Sequence, residues 1–223
     1  MTEPEPKSFT PRPRIQTLSD LVFGLTLTLG AFSIATQKPA TPNDVAAAII
    51  EYGFSFLVIV SVWRNYSTIM SVLPTETGLL TDLNVLLLFI VSIEPYLFQQ
   101  LLIFLDEDWN VVSSFFSVDL GLMFVILAIF SNALASEEKR LVPDRFLLKF
   151  KIDRAFQAVT AAVIFLTLLP PFFSPWYITV VIGGSARGVP LRAMIWILAL
   201  PFNALRVPTQ HFIRHRRGRA VAK

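Results

Sequence analysis

The residues that could carry chemistry in this chain are a few polar and ionisable groups inside long apolar segments. Asp20, Asn84, Glu94 and Asp119 all lie within or at the edge of such a segment. An ionisable group inside a membrane costs free energy, so it is usually paired or marks the path of an ion or substrate. These groups are therefore the first place to look for function.

Signatures of enzyme chemistry are absent from the sequence. There is no cysteine, and hence no thiolate nucleophile, disulfide or Cys-ligated metal. The two histidines, His211 and His215, lie in a basic segment without an acidic third ligand, so we predict no metal site. Phosphate-binding loops, nucleophile elbows and HExxH motifs do not occur either. We expect neither enzyme activity nor a cofactor.

The elements that must position the polar groups are membrane-spanning helices. Hydrophobic residues make up 54% of the 223 residues and charged residues only 16%, against about 25% charged in a typical globular protein. A transmembrane helix needs about 20 mostly apolar residues. The sequence thus predicts an all-α membrane protein with six transmembrane helices, at about 17–35, 46–73, 79–104, 111–135, 155–173 and 189–205.

The sixth span is the least regular of these. The stretch GGSARG at 183–188 interrupts the apolar run 176–205, which favours a short span that starts near residue 189. The alternative is a continuous helix from Ser174 that carries Arg187 and Arg192 into a polar lumen or interface.

The distribution of basic residues predicts the orientation. Sixteen of the 19 Lys and Arg residues fall in segments on one side of the membrane, and three fall on the other. The positive-inside rule then places both termini in the cytoplasm, which requires an even number of spans. We predict a cytoplasmic leader (1–13), a six-span domain (14–206) and a basic cytoplasmic tail (207–223). The tail could contact anionic lipid headgroups, and no nucleic-acid partner is expected.

Two features of the first span each allow two interpretations. Ser19 and Asp20, with Arg14 nearby, either form a self-neutralising polar group or simply cap and anchor the helix. Leu25 and Thr28 share one helical face with Phe32. That face either lines a narrow apolar pore or only packs against another helix.

Other polar groups are also ambiguous. Trp63 and Tyr66 flank Arg64 at the cytoplasmic end of the second span, as in an ordinary interfacial belt. Asn84 in the third span is suited to an interhelical hydrogen bond. The acidic cluster Asp106, Glu107 and Asp108 is either a solvated loop or an electrostatic funnel for cations.

The first three spans resemble the transmembrane protein 175 potassium channels, a family with lysosomal and prokaryotic members. The segment RIQTLSD, from Arg14 to Asp20, is similar to the family signature RxxxFSD, with Leu18 in place of Phe. Leu25 and Thr28 match the apolar and threonine positions five and eight residues after that Asp.

The later spans extend the resemblance with less detail. Trp63 fits the span-two tryptophan, and Asn84 with Pro95-Tyr96 fits the span-three pattern. Tyr66 stands where many members have His, and Glu94 stands where the family usually has an apolar residue. The match keeps register over roughly residues 14–98, whereas the C-terminal half fits only in its span count and its basic loop between spans four and five.

The resemblance implies a passive, potassium-permeable channel of a prokaryotic plasma membrane, formed by a homotetramer in which four copies of span one surround the pore. Leu25 would be the main constriction, Thr28 the next layer and Phe32 an outer layer. A hydrogen-bonded network between the helices would comprise Arg14, Ser19, Asp20, Trp63, Tyr66 and Asn84.

Two competing functions remain open. One is a secondary or proton-coupled transporter that uses Asp20, Glu94 or Asp119, although carriers usually show internal repeats that this sequence lacks. The other is a non-conducting scaffold, in which the Leu25 face serves only for packing.

Overall fold

The protein is described by a computed structural model that covers residues 14–36, 41–72, 78–103, 108–136, 144–173, 177–182 and 185–205. The predicted leader 1–13 and tail 207–223 lie outside the described residues. The helices within the described ranges are α1 (Arg14–Thr36), α2 (Pro42–Met70), α3 (Gly78–Ile103), α4 (Trp109–Ala135), α5 (Asp144–Leu166) and α6 (Leu191–Ala204).

Helices α2, α3 and α4 are long and apolar enough to cross a membrane. The apolar stretch of α6, Leu191–Phe202, is shorter. The prediction of a helical membrane protein is confirmed at this level. The number of spans and the position of the termini remain predictions.

The start of α2 follows directly from its local sequence. The Thr41 hydroxyl accepts a hydrogen bond from the backbone N–H of Asp44, and the Asp44 carboxylate accepts one from the backbone N–H of Thr41. Pro42 occupies the first turn, where its missing N–H has no cost. This reciprocal capping box fixes the point at which the chain enters the helix.

A β-hairpin precedes α6, so the alternative of a continuous helix from Ser174 is wrong. Strand β1 (Tyr177–Ile182) pairs with β2 (Ser185–Pro190) in antiparallel register, with Tyr177 opposite Pro190 and Ile182 opposite Ser185. β1 is rich in β-branched residues, which favour an extended chain, and the two residues between the strands are both glycine in the sequence. The all-α prediction did not include this hairpin.

Packing between the helices leaves α1 at the edge of the bundle. α1 packs against α2 and α3, whereas α4 packs most extensively against α5 and also against α3. The core lies mainly between α2, α3 and α4, and includes the fully buried Val58, Leu87 and Phe124. α4 and α5 approach closely at Gly121, where an added Cβ would lie 2.8 Å from the Phe165 ring. Because α1 packs through one face, its other face points away from the protomer.

Candidate functional site

Helix α1 has a buried face and an exposed apolar face. Ser19, Phe23, Thr26 and Gly30 recur at helical spacing and are buried against α2 and α3. The opposite face carries large apolar side chains that are each 53–66% exposed, namely Leu18, Leu21, Leu25, Leu29 and Phe32. An apolar stripe of this length is suited to lipid or to another subunit.

Leu25 lies at the centre of the exposed face, with Thr28 and Phe32 on the same side one and two turns further along. Thr28 is also exposed, and its hydroxyl donates a 2.9 Å hydrogen bond to the carbonyl of Gly24. Since the hydroxyl proton is committed to its own helix, the oxygen lone pairs remain as acceptors. The face therefore combines apolar surface with a hydroxyl oxygen that can face a cation.

On the buried side of α1, the Ser19 hydroxyl forms hydrogen bonds with side chains of α2 and α3. The Tyr66 hydroxyl on α2 donates a 2.6 Å hydrogen bond to the hydroxyl of Ser19, and the Asn84 amide on α3 donates to the same oxygen at 3.4 Å. All three side chains are buried. The Phe23 ring packs against the Tyr66 ring with their centroids 5.6 Å apart. The N-terminal half of α1 is thereby held against both neighbouring helices.

A second bond to α1 lies one residue further along. The indole N–H of Trp63 donates a 3.0 Å hydrogen bond to the Asp20 carboxylate. Ser19 and Asp20 are not first-turn caps, because α1 begins at Arg14. Their side chains bond to neighbouring helices instead.

The remaining predicted residues are only partly described. Arg14 is the first residue of α1, and its side chain lies outside the described residues, as do Asp106 and Glu107. Asp108 precedes α4, is exposed and makes no side-chain capping bond. The structure thus brings together Ser19, Asp20, Trp63, Tyr66 and Asn84.

The C-terminal half of α1 has contacts that the sequence did not predict. The Tyr52 hydroxyl on α2 donates to the Leu27 carbonyl at 3.4 Å. A Cβ on Gly30 would lie 3.3 Å from the Tyr52 ring and 3.9 Å from Pro95, so glycine allows α1 to approach both. Nearby, the Ser55 hydroxyl donates a 2.9 Å hydrogen bond to the buried carboxyl of Glu94. Tyr52 and Ser55 are three residues apart on α2, a spacing that indicates a shared face but not its partners.

Arg192 lies inside the protein at the start of α6. Its guanidinium donates to the Asn110 carbonyl at 3.2 Å and to the hydroxyls of Ser113 and Ser114 on α4. The Trp196 indole donates to Ser117 at 3.1 Å. Arg192 therefore lies in a polar interface with α4, but on a helix that begins at Leu191 and not on the continuous helix from Ser174 that the alternative required.

The family model described as the endosomal/lysosomal potassium channel TMEM175 matches residues 14–95. The resemblance to the TMEM175 family is thereby confirmed over these residues. The matched segment contains α1, α2 and most of α3, and with them every contact of α1 described above. No curated protein sequence matches this chain significantly.

Solved structures of TMEM175 proteins share the fold. A lysosomal potassium-selective channel TMEM175 homolog from Chamaesiphon minutus superposes with a TM-score of 0.58 at 17% identity, covering 86% of this chain and 96% of that one. A threonine-to-alanine variant of the potassium channel MtTMEM175, in complex with a nanobody–MBP fusion, gives a TM-score of 0.56 at 16% identity, covering 98% and 99%. The likeness therefore extends over both halves of the chain.

Proposed function

We propose that this chain is the subunit of a potassium-permeable channel of a prokaryotic plasma membrane, in which four copies of α1 surround a passive pore. The family match over residues 14–95 and the names of the two similar structures support a potassium channel. The observation that carries the proposal is the exposed apolar face of α1. A helix whose leucines point away from its own protomer can supply the wall of a pore at a symmetry axis.

Leu25 is the constriction in this proposal. It lies on the side of α1 opposite the buried residues Ser19 and Thr26, so it would point towards the axis when α2 and α3 hold α1 from behind. A narrow ring of leucines hinders conduction by excluding water, and an ion must lose part of its hydration shell to pass. Potassium loses water more cheaply than sodium, so such a ring favours potassium.

Thr28 forms the next layer towards the outside, and Phe32 an outer layer. The lone pairs of the Thr28 oxygen are free to replace part of the lost hydration, because the hydroxyl proton is donated to Gly24. Ser19, Asp20, Trp63, Tyr66 and Asn84 are positioning residues in this scheme, together with Arg14. They set the orientation of α1 and do not contact the ion.

Potassium flux into liposomes that contain the purified protein tests the proposal. Leu25→Ala should change the flux several-fold, because it widens the ring. Leu57→Ala is the matched control, since Leu57 on α2 is 59% exposed and Leu25 is 55% exposed. Equal flux in the wild type and both variants would contradict the assignment of the pore to α1.

The same assay separates the competing functions. Saturable potassium uptake that requires a proton gradient would favour a proton-coupled transporter. An absence of flux in protein that is folded and correctly inserted would favour a scaffold. Electrogenic flux that responds to Leu25→Ala supports the channel.

A further inference from the structure

Glu94 is a fully buried carboxyl within the apolar helix α3. Its exposed fraction is 0%, and it lies nine residues, about 14 Å along the helix, from the end of α3 at Ile103. The Ser55 hydroxyl donates to one carboxyl oxygen, Oε2. The other oxygen, Oε1, is buried and has no hydrogen-bond partner among the described residues. A buried polar atom without a partner is costly, so its presence needs an explanation.

A second buried carboxyl lies on α4, the helix that packs against α3. Asp119 is 7% exposed, and its Oδ2 is also buried without a hydrogen-bond partner among the described residues. Glu94 and Asp119 thus each have one carboxyl oxygen without a hydrogen bond among the described residues, and they lie on helices that pack against each other. Because Asp119 retains some exposure and Glu94 has none, Asp119 is the more accessible of the two.

Among the described residues, no basic side chain donates a hydrogen bond to Glu94 Oε1 or to Asp119 Oδ2. Two of the helices that pack against α3 carry titratable side chains that are not basic. These are Asp119 on α4, and Glu51 and Tyr52 on α2, one turn from Ser55. The stretch 21–36 of α1 contains no titratable residue. Arg192, which is buried nearer the start of α4, donates to Asn110 and Ser114.

We propose that Glu94 and Asp119 form a proton-binding site inside the protomer, separate from the exposed face of α1. Glu94 takes up one proton and changes from a carboxylate to a neutral carboxylic acid, which removes its charge from the apolar interior. The acid still accepts the Ser55 hydrogen bond and gains an O–H donor. A proton suits the site better than a metal ion, because the described residues supply no third acidic, histidine or cysteine side chain.

The proton-binding site lies next to the contacts that hold the C-terminal half of α1 against α2 and α3. Pro95 follows Glu94 directly and, with the Tyr52 ring, forms the surface on which Gly30 rests. The Tyr52 hydroxyl reaches Leu27, which neighbours Thr28 in sequence. A change in the charge of Glu94 alters the interface between α2 and α3 around Ser55. It therefore shifts the part of α1 that carries Thr28 and Phe32, the outer two layers of the proposed pore. This last step rests on the proposed function.

Infrared spectroscopy of the full chain in liposomes tests the proton site without any measurement of conduction. A protonated carboxylic acid has a carbonyl stretch that a carboxylate lacks. We expect this band in the wild type, its loss in Glu94→Gln, and its persistence in the control Glu51→Gln. Absence of the band at every pH at which the protein stays folded, or an unchanged band in both Glu94→Gln and Asp119→Asn, would overturn the proposal.

Ser55→Ala covers the case in which Glu94→Gln does not fold. It keeps the carboxyl and removes its hydrogen-bond donor, so the band should remain but shift in frequency. A band at the same frequency in Ser55→Ala and the wild type would show that it arises from another group and would contradict the proposal.

The pH dependence of potassium flux tests the effect on α1. We expect wild-type flux to vary with pH, and Glu94→Gln to lose at least half of that variation. The same pH dependence in both proteins would contradict the connection between Glu94 and α1. A protein that never conducts but shows the Glu94 band would refute the channel and leave the proton site supported.

Discussion

The hydroxyl of Tyr66 on α2 lies 2.6 Å from the hydroxyl of Ser19 on α1, and both are buried. In the family resemblance drawn from the sequence, Tyr66 takes a position where many members carry histidine. The phenol hydroxyl reaches Ser19 directly, and Asn84 donates to the same oxygen. Tyr66 and Asn84 thus join α1 to α2 and to α3 through one oxygen, and the orientation of α1 depends on this contact.

Tyr66→Phe should loosen α1, because it removes only the hydroxyl that donates to Ser19. We expect a loss of about 1 kcal/mol per subunit, as is usual for one interhelical hydrogen bond. The measurement is the thermal unfolding midpoint of the purified protein in mild detergent. Tyr96→Phe is the control, since Tyr96 is exposed on α3. An equal fall in the midpoint for both variants would contradict the role of Tyr66.

Asp20→Ala should lower the fraction of the proposed tetramer, because Trp63 loses its acceptor and α1 is less firmly held. Asp20→Asn should have a smaller effect, since the amide oxygen still accepts the indole hydrogen bond. Arg14→Ala is expected to act in the same direction as Asp20→Ala. Native mass spectrometry in gentle detergent measures the oligomer, and Asp82→Ala, on the exposed surface of α3, is the control. Undiminished tetramer in Asp20→Ala would refute the prediction.

Gly30→Ala should displace the C-terminal half of α1 from α2. The new Cβ would lie 3.3 Å from the Tyr52 ring, a contact tight enough that the ring or the helix must move. We expect a cost of about 1–3 kcal/mol, as for other overpacked sites, and a reduced potassium flux. Gly53→Ala serves as the control, because nothing lies within 4 Å of its added Cβ. Wild-type flux in Gly30→Ala would contradict this prediction, because it would show that the contact of α1 with Tyr52 and Pro95 tolerates the extra methyl group.

Arg192→Ala should detach α6 from α4. The substitution removes the bonds to Asn110, Ser113 and Ser114, and buried charge-assisted bonds are costly to lose, roughly 3 kcal/mol here. The thermal unfolding midpoint measures this effect. Arg64→Ala is the control, since Arg64 is exposed on α2. Similar midpoints for the two variants would mean that α6 is held mainly by apolar contacts.

The features that could be predicted from sequence are those encoded locally. The start of α2 follows from Thr41 to Asp44, because the capping box involves residues three apart. Periodicity also placed Leu25, Thr28 and Phe32 on one face, but the direction of that face depends on how α1 packs against α2 and α3.

Contacts between distant residues could not be predicted in the same way. Ser55 and Glu94 are 39 residues apart, and their hydrogen bond depends on the relative rotation of two helices. The hairpin 177–190 was missed for a similar reason, since strand pairing stabilises an apolar run that also fits a helix. Ser19, Asp20 and Asn84 could be singled out as polar residues in apolar spans, but only the family resemblance predicted that they form one network with Trp63 and Tyr66. The role of this network in conduction remains a prediction.

The hairpin has a consequence for the surrounding lipid. Because the hairpin precedes it, α6 has only 14 residues and is about 21 Å long. The hydrocarbon core of a typical bilayer is roughly 30 Å thick. In the proposed topology, acyl chains beside α6 must compress or tilt to match so short a helix, and the membrane thins locally. Reconstitution into bilayers of shorter-chain lipids would relieve this mismatch and favour the assembled protein.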